Sequence, residues 1–163
     1  MIRSANNADA AKIAEIYNHY IAHTVITFEN ELVSPTEMSL RISAILDASL
    51  PYLVVENENE VFGFAYATRW RPRSAYQNSV ETTIYLSQAY LGNGFGKLLY
   101  AELLLRLAAA DFHTAIGGIA LPNAASVNLH ESLGFKKVAQ FQEVCYKLDR
   151  WVDVGYWQVM LQR

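Results

Sequence analysis

A chain of 163 residues with a hydrophobic fraction of 52% and a mean hydropathy of +0.07 has the size and apolar content of a single folded domain, here expected to span 1–163, and not those of a disordered tail. Its formal charge of −3 and pI near 5.8 argue against a nucleic-acid binder, which ordinarily presents a basic face. The lone Cys145 excludes an intramolecular disulfide and a cysteine-built zinc cage. The opening MIRSANNADA lacks the apolar core of a signal peptide, and no apolar run reaches the ~18 residues of a membrane span, so a cytoplasmic protein with no membrane association is expected.

Taken in chain order, residues 2–3 suit a short strand. Asn7 or Asp9 is placed to cap a helix in which Ile13, Ile16, Tyr17 and Tyr20 fall on one face. Ser34-Pro35-Thr36-Glu37 reads as an N-cap followed by proline in the first turn and glutamate at the third helical position. Met38, Ile42, Ile45 and Leu46 continue that helix. Residues 52–55 form a strand, the polar stretch 56–60 turns the chain, and 61–67 returns as its hairpin partner. A loop over 69–78 carries Trp70, Arg71, Arg73 and Tyr76. Residues 80–86, rich in β-branched side chains, make the next strand. An apolar helix over 95–110, a strand over 114–121, and a helix over 123–133 closed by Gly134 follow; 135–160 supplies two more strands. The order describes a mixed α/β domain whose central strand–helix–strand unit is parallel.

Gly92, Gly94 and Gly96 alternate at the junction between the 80–86 strand and the 95–110 helix. Glycine tolerates positive φ and lets backbone approach a ligand, and the free N–H groups and dipole of a helix start favour an anion. A Walker loop needs Ser or Thr after Gly-Lys, and Gly96-Lys97 is followed by Leu98. A dinucleotide fingerprint needs its third glycine three residues after the second, where Lys97 stands. The remaining reader of such a turn is an acyl-CoA pyrophosphate loop.

These residues resemble the Gcn5-related N-acetyltransferases, whose signature Arg/Gln-x-x-Gly-x-Gly/Ala sits at this junction. Gly94 and Gly96 fill the glycine places, while Leu91 and Asn93 stand where polar or basic side chains are common. The resemblance to the phosphinothricin acetyltransferase branch runs along nearly the whole chain. It is carried by 16–20 (IYNHY), Thr27-Phe28, Arg71-Pro72-Arg73 with Ala75-Tyr76, Val80-Glu81, Leu121-Pro122-Asn123, His130-Glu131 with Leu133-Gly134-Phe135, and 151–158 (WVDVGYWQ). It implies an acyl-CoA N-acyltransferase fold: a mixed, mostly antiparallel seven-stranded sheet with a V-shaped split and helices on both faces. The implied activity is direct acetyl transfer from acetyl-CoA, in a ternary complex, to the α-amino group of a small acceptor such as phosphinothricin, methionine sulfoximine or methionine sulfone. Acetyl-CoA is the co-substrate, with no metal. A homodimer in which partner residues close the acceptor pocket is also implied.

Residue by residue, the resemblance puts the general base at Glu81 and gives His130 the place of the tyrosine that protonates the leaving thiolate in many relatives. An imidazole there is able to serve as acid or base. It puts the cofactor on Ile84, Tyr85, Leu86, on the turn Leu91, Gly92, Asn93, Gly94, Phe95, Gly96, Lys97, and on Asn123 and Ser126. With Leu91 and Asn93 uncharged, the pyrophosphate rests on backbone N–H groups and the helix dipole, and Lys97 is the nearby cation of the loop. Arg71 and Arg73 carry guanidinium forks suited to a carboxylate or phosphinate, although loop arginines are ordinarily just solvated. Phe28 and Tyr76 match pocket positions of the branch, with Glu81 facing the acceptor. Cys145 reads as a small apolar residue and not a nucleophile. His19, His23 and His113 form no ligand-spaced cluster, so no metal site is expected. Acetylation of peptide or protein N-termini and non-catalytic acyl-CoA sensing remain the alternatives. Resistance and metabolic roles stay open.

Overall fold

The computed structural model describes residues 1–161. Their main elements run β1 (Ile2–Ser4), α1 (Ala10–His23), α2 (Pro35–Asp47), β2 (Tyr52–Asn57), β3 (Glu60–Arg69), β4 (Ser79–Leu86), α3 (Phe95–Ala109), β5 (Thr114–Leu121), α4 (Ala124–Ser132), β6 (Lys136–Lys147) and β7 (Arg150–Met160). The strands form one sheet in the order β1-β2-β3-β4-β5-β7-β6. Every neighbouring pair is antiparallel except β4 and β5, which are joined through α3. This is the seven-stranded mixed sheet that the sequence led us to expect.

Local signals place most element ends. Ser34 accepts a hydrogen bond from the Glu37 amide at 3.1 Å and Pro35 opens α2. Asn123 caps α4 by accepting from the Ser126 amide at 3.1 Å. At the far end of α4 the Gly134 and Phe135 amides return to Glu131 and His130, with Gly134 at φ +90. The start of α1 differs from expectation. Asn6, not Asn7 or Asp9, is the capping side chain, accepting from the Ala8 amide at 2.9 Å in a single 3-10 turn that precedes the helix. Asp9 is drawn inward: its carboxylate accepts the Asn6 amide and both Arg3 guanidinium nitrogens, each at 2.9 Å. The carboxylate thus closes a capping box with Asn6 at the helix start while the charge-assisted Arg3 fork supplies two further bonds.

Helices cover both faces of the sheet. Ile13, Tyr17, Tyr20 and Ile42 of α1 and α2 pack on Tyr52, Val54 and Phe64. Leu99, Tyr100, Leu103 and Leu107 of α3 pack on the opposite face, on Leu53, Ala65, Val80 and Ala115. At roughly 2 kcal/mol for each fully buried large apolar side chain, these two layers supply the main driving force for folding.

The feature that makes a site lies between β4 and β5. Their parallel pairing covers Ser79–Thr114, Val80–Ala115 and Glu81–Ile116, then stops, although the strands continue to Leu86 and Leu121. Each remains bonded to its outer neighbour: β4 to β3 as far as Leu86–Gly63, and β5 to β7 as far as Leu121–Asp153. The two halves of the sheet therefore diverge as intact units, leaving a V-shaped split whose inner strand edges carry backbone groups without sheet partners. Among the described residues, no helix is long and apolar enough to cross a membrane.

Candidate active site

Two connected hollows occupy the split. The inner one, about 270 Å³, is walled by Glu81, Thr82 and Thr83 of β4, by Gly118 and Ile119 of β5, by Tyr66 of β3, and by the 26–29 segment between α1 and α2. The outer one, about 530 Å³, runs past the glycine turn along Leu91, Gly92, Gly94, Gly96 and Lys97. Ile84, Tyr85, Asn123 and Ser126 line both, so the two form one continuous channel.

The outer hollow is shaped by backbone. Gly92 and Gly94 adopt φ +76 and +81, in the left-handed region, and a Cβ at either would meet no atom within 4 Å. Leu98 donates the first helical bond of α3, to Gly94, so the amides of Phe95, Gly96 and Lys97 belong to the turn whose N–H groups are free for a ligand. Phe95 itself turns away: its ring lies 4.9 Å from Phe62 in an edge contact and anchors the helix start to the core. Asn93 donates to the Leu91 carbonyl at 3.3 Å, which closes the turn. At Gly96 a Cβ would make ordinary van der Waals contacts, 3.4 Å from Leu86 and 3.7 Å from Leu129.

Strand alternation distributes the chemistry of the inner hollow over the two sheet faces. Tyr85 packs with the α1/α2 layer, so Glu81 and Thr83 share that face. Thr82 points to the α3 side. The Glu81 carboxyl is half-buried across from Gly118, where its Oε1 would lie 3.7 Å from an added Cβ. Burial pushes its pKa up, opposed by the positive charge of Arg71. On the other face, Thr82 Oγ1 lies 2.6 Å from the Tyr100 hydroxyl, which lies 3.1 Å from His130 Nε2. His130 Nδ1 lies 2.7 Å from the Ser126 carbonyl.

The segment over the hollow is fixed from three directions. Asn18 exchanges two bonds with the Val33 backbone, at 2.8 and 2.9 Å. Arg41 grips Glu29 bidentately at 2.8 Å, and Tyr17 donates to the same carboxylate. This pairing holds the Glu29 pKa below the usual carboxylate range. From the β6–β7 hairpin, the buried Lys147 ammonium donates to the Thr27 carbonyl at 2.9 Å.

The sequence candidates thus divide. Phe28, Glu81, Ile84, Tyr85, Asn123, Ser126 and His130 meet at the inner hollow, and Leu86, Leu91, Gly92, Gly94, Gly96 and Lys97 join along the outer one. Arg71, Arg73 and Tyr76 do not line either. The Arg71 guanidinium stacks 4.0 Å over the Trp70 ring and donates to the Trp70 carbonyl, and Arg73 and Tyr76 are exposed. Among the described residues, no three His, Cys, Asp or Glu side chains come together in a group that could hold a metal.

Residues 2–155 match the acetyltransferase (GNAT) domain family. This chain is a GNAT N-acetyltransferase. It is 40% identical over 157 residues to a phosphinothricin N-acetyltransferase of Streptomyces viridochromogenes, covering 96% of this chain and 85% of that one. It is 35% identical to an L-methionine sulfoximine/L-methionine sulfone acetyltransferase of Salmonella typhimurium, covering 98% and 94%. The crystal structure of a phosphinothricin acetyltransferase from Sinorhizobium meliloti in complex with acetyl-CoA superposes with a TM-score of 0.96 at 38% identity, over 99% of this chain and 88% of that one. Acetyl-CoA binding is thus seen directly in a homologous structure of the same fold.

Sequence reasoning about this acetyltransferase missed Tyr17, Thr27, Glu29, Tyr66, Thr82 and Tyr100. Tyr17 belongs to the apolar face of α1, as its spacing predicts, and its hydroxyl also reaches Glu29 and Thr27. The signal for Thr82 was available, because a β-branched polar residue beside Glu81 must face the opposite side of the strand. No local signal marks Tyr100, which sits in the apolar stripe of α3.

Proposed function

We propose that this acetyltransferase acetylates the α-amino group of a small amino-acid-like acceptor of the phosphinothricin, methionine sulfoximine or methionine sulfone class. The observation that carries the reading is the placement of Glu81, a half-buried carboxyl in the wall of the inner hollow at the base of the split, on the strand that leads through Ile84 and Tyr85 into the glycine-turn groove. A volume of about 270 Å³ falls below the range typical of drug-sized ligands and suits an amino acid better than a peptide.

The outer hollow fits acetyl-CoA. The open space over Gly92 and Gly94, the first amides of α3 and the Lys97 ammonium together suit a pyrophosphate. The inner edges of β4 and β5 offer N–H and C=O groups to the amides of a pantetheine arm, and Asn123 and Ser126 stand at the junction. Acetyl-CoA supplies an acetyl carbonyl activated as a thioester. Glu81 takes one proton from the acceptor's ammonium, which frees the nitrogen lone pair. The amine nitrogen then bonds to the carbonyl carbon as the carbon–sulfur bond breaks, and a second ammonium proton leaves with sulfur as the thiol. A carboxyl whose pKa is raised by burial is a stronger base once ionised and is nearer the working pH than an ordinary glutamate. Arg71 and Arg73 are the proposed partners of the acceptor's anionic groups. A second copy of the chain, docked on the exposed apolar side chains Val144, Tyr146 and Trp151 of the β6–β7 hairpin, is proposed to close the rim.

Replacing Glu81 by Gln tests the base. Turnover by thiol release across phosphinothricin, methionine sulfoximine, methionine sulfone and free amino acids is expected to fall by about 10² or more, with acetyl-CoA affinity retained. The acid limb of kcat/KM, expected above the ordinary glutamate value because burial raises it, disappears with the carboxyl. Unchanged turnover removes Glu81 from the mechanism.

A further inference from the structure

We infer that Tyr100 fixes His130 as a neutral imidazole with its proton on Nδ1, so that His130 positions the first turn of α4 and takes no part in proton transfer. This rests on the reading of Glu81 as the base and deepens it, because, with the Glu29 carboxylate of the same hollow held by Arg41, it leaves proton acceptance at the reacting amine to Glu81.

The assignment follows from what each neighbour can do. The Ser126 carbonyl only accepts, and at 2.7 Å from Nδ1 it requires a proton there; Ser126 Oγ lies farther off at 3.4 Å. Nε2 is then a lone pair, and the Tyr100 hydroxyl 3.1 Å away is its donor. Tyr100 in turn accepts from Thr82 Oγ1 at 2.6 Å. Both imidazole nitrogens are therefore consumed by protein groups. Tyr100 is 0% exposed, and His130 and Thr82 are each 4% exposed.

The surroundings offer an imidazolium nothing. A Cβ on Gly117 of β5 would fall 2.6 Å from Nε2, so strand backbone closes that side of the ring. Tyr100 and Phe135 meet the ring edge-on, with centroids 5.1 and 5.0 Å away. The titratable group in contact with it is Tyr100 from α3; Glu81, on the other face of β4, lines the same hollow, and the Glu131 carboxylate next along α4 is engaged by the Trp157 indole. A proton on Nε2 would force Tyr100 to reverse and donate to Thr82, and Thr82 to donate to the Ile116 carbonyl at 3.5 Å, the limit of a hydrogen bond. Burial lowers the His130 pKa, in the same sense. What the ring does instead is hold the Ser126 carbonyl. That fixes the turn bearing Asn123 and Ser126 against the channel.

The test is side-chain nitrogen NMR of the enzyme labelled with 15N-histidine, which has four histidines. His19, His23 and His113 are exposed and give the reference signals. His130 is expected to show a protonated Nδ1 and a bare Nε2 unchanged between about pH 5.5 and 8.5. Titration of His130 in that window, or a proton found on Nε2, overturns the inference whatever Glu81 does. Tyr100→Phe supplies a kinetic arm. Loss of the donor is expected to shift the His130 Nε2 resonance and raise KM for acetyl-CoA about three- to tenfold, the size of one buried hydrogen bond, with the acid limb of kcat/KM in place. A moved limb would show that the imidazole itself titrates in the reaction. Failure of Glu81→Gln to lower turnover would remove the base assignment and leave the tautomer result standing, so the two readings fail separately.

Discussion

Gly94 and Gly96 fill the two glycine places of the sequence motif, and of the two it is Gly94 whose conformation calls for glycine. Gly96 has an ordinary backbone, and a Cβ there would make ordinary van der Waals contact with Leu86 and Leu129. Gly94 has φ +81, and the space where its Cβ would go is empty of protein. The constraint at Gly94 is therefore the left-handed backbone, which costs an L-residue about 1–2 kcal/mol. Part of that cost appears in binding, because a turn that relaxes in the free enzyme must be restored around the ligand. Gly94→Ala is expected to raise the acetyl-CoA dissociation constant by up to about tenfold with little change in thermal stability. Calorimetric titration checks this, and an unaltered constant removes the turn from the cofactor site.

At the scale of elements, the polar contacts that matter join segments far apart in the chain. The Lys147 bond to Thr27 ties the β6–β7 hairpin to the roof of the inner hollow. Arg3 joins β1 to β2 and to the turn before α1, bonding Glu56 at 2.7 Å and Asp9 at 2.9 Å. The hydrogen bonds from Arg3 lower the Asp9 pKa against the opposing effect of burial. A folded-state value below the unfolded one means the carboxylate's contribution is present in full above the ordinary value of 3.8 and is lost as pH falls through the folded value. Asp9→Asn is therefore expected to reduce stability at neutral pH and to flatten the loss of stability below about pH 4. Urea midpoints across pH check both, and parallel curves for the two proteins would exclude the pairing as a source of acid sensitivity.

At the scale of the whole molecule, the sheet is two paired halves that share only three residue pairs at the base of the split. The half carrying the β6–β7 hairpin exposes Phe141, Val144, Tyr146 and Trp151. Arg71, Arg73 and Tyr76 are exposed and line neither hollow. An aromatic patch of this kind on one edge favours association. Light scattering is expected to give twice the 18.4 kDa chain mass, and Trp151→Glu to halve it while raising KM for the acceptor more than for acetyl-CoA. A monomeric wild-type enzyme would exclude a partner from the pocket.

The elements, the cap of α2 at Ser34, the closure of α4 at Gly134, the glycine turn and the family were legible in the sequence by itself. Each depends on signals within a turn or two of chain: a 3.6 or 2 periodicity, an oxygen beside a free amide, a residue able to take positive φ. Even there one detail was lost, since Asn6 takes the cap position and Asp9 closes its capping box while pairing with Arg3, a partner that no local pattern records. The split was expected from the family resemblance and from no local pattern; physically the tertiary structure decides it, because it depends on which strand edges stay bonded to β3 and β7 after β4 and β5 part. The tertiary structure alone brought Thr82, Tyr100, Ser126 and His130 into one hydrogen-bonded line, from three elements well separated in the chain. Nothing in an apolar stripe on α3 says that one tyrosine hydroxyl will find an imidazole. That contact is set by how β5 lets the α4 ring settle on Gly117, and so by packing between elements.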